Sequence, residues 1–136
     1  MTSEEQTRLV AAARMAHARS YAPYSGFHVG AAILGASGQI YPGCNVENAS
    51  FPVSLCAERA AIAAAIVAGE RDFKAVAILG GSSDPCPPCG MCRQALAEFG
   101  PTMELLLLGA DGTEKRTTLH AILPDAFGPD FLKHKV

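Results

Sequence analysis

The sequence predicts an α/β fold in which a mixed sheet of about five strands is covered by helices. Helical and extended patterns follow one another in the order helix, strand, strand, helix, strand, helix, strand, strand. Two nearly continuous apolar runs, 73–80 and 103–108, are typical of strands buried on both faces. An alanine-rich run without glycine or proline, 56–68, predicts a helix ahead of them. The spacing of these elements does not determine the strand order.

The length of 136 residues suits one domain, and the predicted domain spans 1–136. Hydrophobic residues make up 49% of the chain, enough for a substantial core. The net charge of −2 gives no electrostatic reason to expect nucleic acid or a membrane as a partner. No apolar run approaches the roughly 20 residues of a membrane span, and the acidic, polar start argues against a signal peptide. We therefore expect a cytoplasmic protein.

The N-terminal half is predicted to form one helix and a pair of strands. Ser3 and Gln6 resemble a capping box at the start of a helix that extends to about Ala18. Alternating apolar residues then predict a strand over 27–34, covered on both sides. A turn allows an antiparallel strand to follow at 40–44.

The C-terminal half contains shorter elements. The helix at 56–68 is nearly all apolar, so it should be buried on most sides. The remaining predicted elements are a strand at 73–80, a helix at 90–99, strands at 103–108 and 114–118, and a short helix at 119–123. Pro124 ends the last helix and leaves Phe127 in an irregular tail, where an aromatic side chain usually covers the core.

Three cysteines and one carboxylate carry the predicted chemistry. Cys56 and Glu58 lie at the start of the alanine-rich helix, where free N–H groups and the helix dipole favour a thiolate. Cys89 and Cys92 have the C-x-x-C spacing that lets two thiolates bind one metal ion. Three thiolates beside a carboxylate that is not a ligand fit a catalytic zinc site, which keeps one position open for water.

The other two of the five cysteines leave an alternative open. Cys86 also has C-x-x-C spacing from Cys89, so spacing alone permits it as a ligand in place of Cys56 or Cys92. With four thiolates the chain would be a structural zinc or redox protein, although this leaves the nearby carboxylate without a role. Cys44 is expected to be a small buried apolar residue.

The cysteine motifs resemble those of the zinc nucleoside and nucleobase deaminases, and in particular the free-nucleoside branch, the cytidine deaminases. Residues 56–58 read Cys-Ala-Glu and residues 88–92 read Pro-Cys-Gly-Met-Cys, with cysteine where other branches carry histidine. The resemblance extends to Phe27, to 45–48 and to 123–127. It implies a three-layer α/β/α fold and a homotetramer whose sites are shared between subunits.

The resemblance also implies an activity, the hydrolytic deamination of cytidine and 2′-deoxycytidine with release of ammonia in pyrimidine salvage. One Zn²⁺ per subunit, on Cys56, Cys89 and Cys92, would supply hydroxide to attack C4 of the ring. Glu58 would carry protons from the zinc-bound water to ring N3 and to the leaving amine. Three thiolates give the Zn²⁺ site a net charge of about −1, and Arg59 is the predicted cation that donates to the ligand sulfurs. The alternative for Arg59 is a surface charge, although arginine in a first helical turn opposes the helix dipole.

The resemblance assigns further residues to substrate binding. By pattern Phe27 is a core aromatic, but the resemblance places it against the pyrimidine ring. Asn45 and Glu47 lie two apart in an extended segment, so their side chains point the same way. The pattern allows either turn chemistry or binding of a sugar hydroxyl, and the resemblance implies that they hold the ribose 3′-hydroxyl.

Three more residues are implied near the substrate, Ala57, Phe51 and Phe127. The two phenylalanines match aromatic positions that close a pocket in their own or a neighbouring subunit. A blasticidin-type deaminase, acting on a modified cytosine nucleoside, keeps the Cys-Ala-Glu motif and is the alternative with the same chemistry. The segment 45–48 favours a nucleoside with a ribose, and both the first motif and the net charge disfavour polynucleotide substrates.

Overall fold

The computed structural model describes residues 1–133, and the last three residues of the predicted domain lie outside this range. The chain forms a five-stranded mixed sheet with helices on both faces, which confirms the predicted α/β fold. The strands are β1 (Gly30–Gly35), β2 (Ile40–Cys44), β3 (Phe73–Leu79), β4 (Glu104–Leu108) and β5 (Glu114–Thr118). The helices are α1 (Ser3–Ala18), α2 (Ala57–Val67), α3 (Gly90–Ala97), α4 (Leu119–Ile122) and α5 (Asp130–Lys133), with a 3₁₀ turn at Phe51–Val53.

The strand order is β2-β1-β3-β4-β5. Only the central pair of β3 and β4 is parallel among the described strands, and α3 forms the crossover between them. The other neighbours pair antiparallel. The β3–α3–β4 unit matters for function because a loop after β3 leads directly into the helix that carries two of the cysteines.

Two cores, one on each side of the sheet, account for the three layers. Alternate residues of each central strand point to opposite faces. On one face Leu9 and Ala13 of α1 pack against Leu34 and its neighbours. On the other face α2, α3 and α4 cover the side chains that include Ile33 and Ile78. Each fully buried leucine or isoleucine stabilises the fold by about 1.5–3 kcal/mol relative to an exposed one.

A glycine in β2 allows α2 to lie directly on the sheet. A Cβ atom at Gly43 would lie 2.6 Å from the carbonyl oxygen of Ala57 and 2.8 Å from the Cα of Ala61, both backbone atoms of α2. At Gly43 the main chain of the strand therefore lies directly against the first turns of the helix.

Three local expectations need correction. The capping box of α1 is one residue earlier than predicted, because the Thr2 hydroxyl accepts from Glu5 N at 3.1 Å and the Glu5 carboxylate accepts from Thr2 N at 2.8 Å. The strand predicted from residue 27 begins only at Gly30. Helix α2 is not buried on most sides in the isolated chain, since Ala63 and Ala64 are exposed and Val67 is 90% exposed.

Within residues 1–133, none of the helices combines the length and apolar character needed to cross a membrane.

Candidate active site

Two helix N-termini bring three cysteine sulfurs together. Cys56 is the N-cap of α2 and Cys89 is the N-cap of α3, both with extended backbone. Cys92 is the third residue of α3 and is fully buried. The three Sγ atoms lie within 4.8 Å of one another, so they form a potential metal site. Three soft thiolate donors suit Zn²⁺.

The remaining two cysteines lie apart from this cluster. The Cys86 Sγ lies 3.7 Å from the Pro87 carbonyl oxygen, and the Cys44 Sγ lies 3.8 Å from the Arg19 carbonyl oxygen. Both are only half-buried, so the prediction of a buried Cys44 is not met in the isolated chain. Among the described residues the cluster has three thiols and not four, which does not favour a closed structural site.

Cys89 and Cys92 differ electrostatically, although both lie at the start of α3. Burial, together with the charges of Glu58 and Cys56, raises the pKa of Cys92. Burial also acts against ionisation of Cys89, but hydrogen bonds from the backbone N–H groups at the start of α3 and from the Cys92 and Cys56 thiols outweigh it and lower the pKa of that thiol. Metal binding at this cluster therefore requires the release of a proton from a buried thiol.

Arg59 reaches back over the first turn of α2. Its Nη2 donates to the Cys56 Sγ at 3.6 Å, and this interaction raises the pKa of the guanidinium. The guanidinium is therefore directed toward a sulfur of the cluster. Arg59 therefore adds one positive charge next to the thiolate cluster.

Glu58 is one of two buried carboxylates among the described residues, and the other is Glu70, in the connection between α2 and β3. The Glu58 side chain is 5% exposed. Burial raises the pKa of Glu58, and its own backbone N–H, Cys92 and Arg59 oppose part of the increase. A buried carboxylate with a raised pKa accepts a proton more readily than an exposed one, which suits it to carry protons.

A cavity of about 290 Å³ opens above the cluster, close to the lower end of the roughly 300–1,000 Å³ typical of small-molecule sites. Its lining includes Phe27, Asn45, Glu47, Ala57 and Glu58 together with Cys56 and Cys89. Five of the residues predicted for catalysis or substrate binding therefore surround one space. The pattern-based interpretation of Phe27 as a core aromatic is wrong, because its ring is 46% exposed and lies on the cavity wall.

Asn45 and Glu47 hold the backbone of the segment before β1. The Asn45 side chain accepts from Val29 N and donates to the Phe27 carbonyl oxygen, both at 2.8 Å. The Glu47 carboxylate accepts from Tyr24 N at 2.9 Å, from Ser25 N at 3.1 Å and from the Ser25 hydroxyl. The Ser25 hydroxyl is the largest influence that lowers the pKa of Glu47, which keeps this carboxylate ionised.

Phe51 and Phe127 lie away from this cavity in the isolated chain. The Phe51 ring is 67% exposed and packs edge-on against Tyr24 beside Glu47, with ring centroids 5.7 Å apart. The Phe127 ring is 57% exposed and stacks on Phe131 at 5.7 Å. Neither ring lines the space above the cysteine cluster.

Two residues that were not predicted from the sequence, Arg93 and Gln94, hold the loop before α3 and the segment after α4 in place. Arg93 donates from Nε to the Pro88 carbonyl oxygen and from Nη1 to the Ile122 carbonyl oxygen, both at 2.9 Å. Gln94 donates to the Phe127 carbonyl oxygen at 2.9 Å. For Arg93 the sequence does contain a signal, the same one that pointed to Arg59: an arginine in a first helical turn, where its charge opposes the helix dipole. Gln94 has no comparable signal.

Comparison with known proteins agrees with this arrangement. Residues 3–108 match the family model for the cytidine and deoxycytidylate deaminase zinc-binding region. The chain is 41% identical over 128 residues to the cytidine deaminase of Sporosarcina psychrophila, covering 93% of this chain and 94% of that protein. It is 40% identical over 124 residues to the cytidine deaminase of Halalkalibacterium halodurans, covering 90% and 94%.

Solved structures give the same result. The crystal structure of cytidine deaminase from Burkholderia pseudomallei superposes with a TM-score of 0.86 at 45% identity, covering 93% of this chain and 100% of that one. Cytidine deaminase from Mycobacterium tuberculosis gives a TM-score of 0.78 at 41% identity, covering 90% and 97%. The chain belongs to the cytidine and deoxycytidylate deaminase family.

Proposed function

We propose that this protein hydrolyses cytidine and 2′-deoxycytidine to uridine and 2′-deoxyuridine, releasing ammonia. The observation that carries the proposal is the buried Glu58 carboxylate beside three clustered thiols at one cavity. The relatives named cytidine deaminase, which match most of the chain, support this substrate class. The reaction consumes one water, breaks the C4–N4 bond and leaves oxygen on C4.

The metal site would be formed by Cys56, Cys89 and Cys92, whose donor set and spacing fit Zn²⁺. When bound, Zn²⁺ lowers the pKa of a coordinated water from about 15.7 toward 7 and so supplies a nucleophile at neutral pH. Arg59 balances the excess negative charge of the three thiolates through its contact with the Cys56 Sγ. The positive ends of α2 and α3 add to that balance.

Glu58 would carry the protons of the reaction. Attack at C4 is favoured when ring N3 gains a proton, and departure of the amine needs a second one. A single carboxylate can take both from the attacking water and deliver them in turn. Burial raises the pKa of Glu58, so this carboxylate binds a proton more readily than an exposed one and is suited to take a proton from the attacking water.

The wall of the cavity would orient the nucleoside. The exposed ring of Phe27 offers a flat surface for the pyrimidine. Asn45 retains one N–H and one lone pair, and Glu47 retains lone pairs, beyond their contacts with the backbone. These free positions suit the 3′-hydroxyl of ribose, since a hydroxyl both donates and accepts. Ala57 contributes its main chain at the start of α2, next to Glu58.

The proposal is tested by following the ultraviolet spectrum of cytidine, 2′-deoxycytidine and free cytosine with the zinc-loaded protein. We expect both nucleosides to be converted to the uracil forms, and cytosine to react much more slowly because it lacks the sugar that Asn45 and Glu47 would hold. Failure to convert either nucleoside would contradict the proposal. Conversion of a modified cytosine nucleoside alone would favour the blasticidin-type alternative.

Replacing Arg59 by glutamine is expected to shift the acid limb of the pH profile of kcat to higher pH by about one unit. At a given pH on that limb, kcat should therefore fall about tenfold. Removing the cation leaves the thiolate cluster with uncompensated negative charge, which disfavours the ionised form of the Glu58 carboxyl group beside it. Steady-state kinetics from pH 5 to 9 would measure the shift. Arg59→Lys, which keeps the charge, is the matched control, and an equal loss of rate by Arg59→Gln at every pH would contradict the role.

The proposed assembly is a homotetramer in the cytoplasm, where thiols stay reduced. Its support is the apolar surface exposed in the isolated chain, at Phe51, Val53 and Val67. Sedimentation velocity is expected to give about four times the subunit mass of 14.2 kDa, and Phe51→Asp to dissociate the particle and lower turnover. Met15→Asp on α1, which changes an exposed residue of the other layer, is the control. A wild-type monomer at assay concentration would contradict the proposal.

A further inference from the structure

The loop before α3 carries a side chain that the proposed reaction does not use. Cys86 lines the same cavity as Phe27 and Glu58, yet its Sγ is outside the three-thiol cluster. Burial, with a contribution from the Glu58 charge, raises the pKa of the Cys86 thiol. A neutral thiol is a poor ligand and a poor nucleophile, so Cys86 acts at this wall by its size and its soft apolar surface.

Gly80, directly after β3, determines where the thiol sits. A Cβ atom at Gly80 would lie 2.6 Å from the Cys86 Cβ and 2.8 Å from its Sγ. The same point is 3.6 Å from Cζ of Phe27. Cys86 therefore packs on the main chain of Gly80, and the tip of the Phe27 ring lies beside it. The thiol stands at the border of the space that the Phe27 ring covers.

In the proposed reaction, each edge of the bound pyrimidine except the one at C5 has an assigned neighbour in the cavity. N1 carries the sugar, which Asn45 and Glu47 would hold, and C4 faces the thiolate cluster. N3 faces Glu58, so the edge with N3 and O2 is turned toward α2. C5 is the other neighbour of C4 and therefore points away from α2. The loop before α3 supplies Cys86 and Pro87 to the cavity lining, and this is the part of the lining that would face C5.

We infer that Cys86 is a specificity-determining residue that limits the size of the substituent at C5 of the pyrimidine. This inference rests on the proposed function. Hydrogen at C5 leaves the thiol in place against Gly80, whereas a larger group must displace it. Because Gly80 has no side chain to move aside and its main chain is already in contact with the thiol, the displacement has little room on that side.

The test compares kcat/KM for 5-methylcytidine and cytidine. Cys86→Ala removes the sulfur and should raise the ratio of 5-methylcytidine to cytidine by about tenfold, the low end of what one methyl-sized change in a fitted pocket is worth. Gly80→Ala should push the thiol into the cavity and lower the same ratio. Cys86→Leu fills the space directly and gives a second test in that direction if the Gly80 variant does not fold. Cys44→Ala, a half-buried cysteine that does not line the cavity, should leave the ratio unchanged.

Each outcome bears on a distinct conclusion. An unchanged ratio in Cys86→Ala, with cytidine turnover and zinc retained, overturns the inference and leaves the proposed function intact. Loss of zinc from Cys86→Ala would identify Cys86 as a ligand and would also overturn it. Absence of nucleoside turnover by the zinc-loaded wild type would instead overturn the proposed function.

Discussion

Replacing Glu58 by glutamine is expected to lower kcat for cytidine by about 10²- to 10⁴-fold while zinc is retained. Glutamine has nearly the same shape but cannot take a proton from the attacking water, so both proton transfers lose their carrier. Turnover by ultraviolet absorbance and zinc by atomic absorption would be measured on the same sample. Glu70→Gln, at the other buried carboxylate of the described chain, is the control and should keep full turnover.

The pH dependence gives the Glu58 prediction a second readout. Because burial raises the pKa of Glu58, its ionised form is lost as the pH falls through that raised pKa, and wild-type activity should fall with it. The stability effect has the opposite sign. A carboxyl group with a raised folded pKa stabilises the fold below its unfolded pKa of about 4.3, and this contribution is lost as the pH rises through the folded pKa.

Zinc-free Glu58→Gln should therefore unfold at a higher temperature than zinc-free wild type at pH 8, since the variant buries no charge. The difference should shrink near pH 4, where the wild-type side chain is neutral. Retention of wild-type turnover by Glu58→Gln would contradict the proposed proton carrier. An unchanged Tm would contradict only the electrostatic account of its burial.

Replacing any one of Cys56, Cys89 and Cys92 by serine is expected to remove zinc and to lower turnover more than about 100-fold, beyond the effect of losing an outer-shell partner. A serine hydroxyl stays protonated at neutral pH and replaces a thiolate poorly as a zinc ligand. Zinc per chain would be measured after dialysis against a chelator, with far-ultraviolet circular dichroism to confirm the fold.

The two remaining cysteines provide matched controls for the ligand variants. Cys86→Ser and Cys44→Ser should keep zinc and cytidine turnover, because neither sulfur belongs to the cluster. Loss of zinc in Cys86→Ser would restore the four-thiolate alternative. Loss in Cys86→Ser together with retention in Cys92→Ser would mean that Cys86 is the ligand and Cys92 is not.

Local signals in the sequence were sufficient to predict the helices that carry the site. The run after Cys56 is dominated by alanine, and α2 forms there from Ala57 to Val67. The strands β2 and β5 occupy the residues predicted for them, Ile40–Cys44 and Glu114–Thr118. These elements depend mostly on neighbours in the chain, which is the information that a single sequence contains.

Spacing could not separate Cys86 from Cys92, because each stands three residues from Cys89. The distinction is conformational. Cys89 caps α3 and Cys92 follows within the first turn, so their side chains converge, whereas Cys86 lies in the loop before two prolines.

Contacts between residues that are far apart in the chain could not be predicted from the sequence either. The strand β1 begins at Gly30 and not at Phe27 because Asn45 takes the hydrogen-bonding groups of Phe27 and Val29 that a strand would use. Arg93 reaches Ile122 across 29 residues. In both arrangements the hydrogen-bonding partner lies far away in the sequence, so only the assembled fold identifies it.

The contact of Gly43 with α2 bears on how this protein can be engineered. Exchanging glycine for alanine commonly stabilises a protein where the backbone angles permit it, and Gly43 has no positive φ that would warn against the change. Yet the added methyl group would press on the carbonyl of Ala57, the residue between Cys56 and Glu58. A thermostability screen guided by backbone angles would select this position. The change would push the first turn of α2, which contains Glu58, away from the sheet.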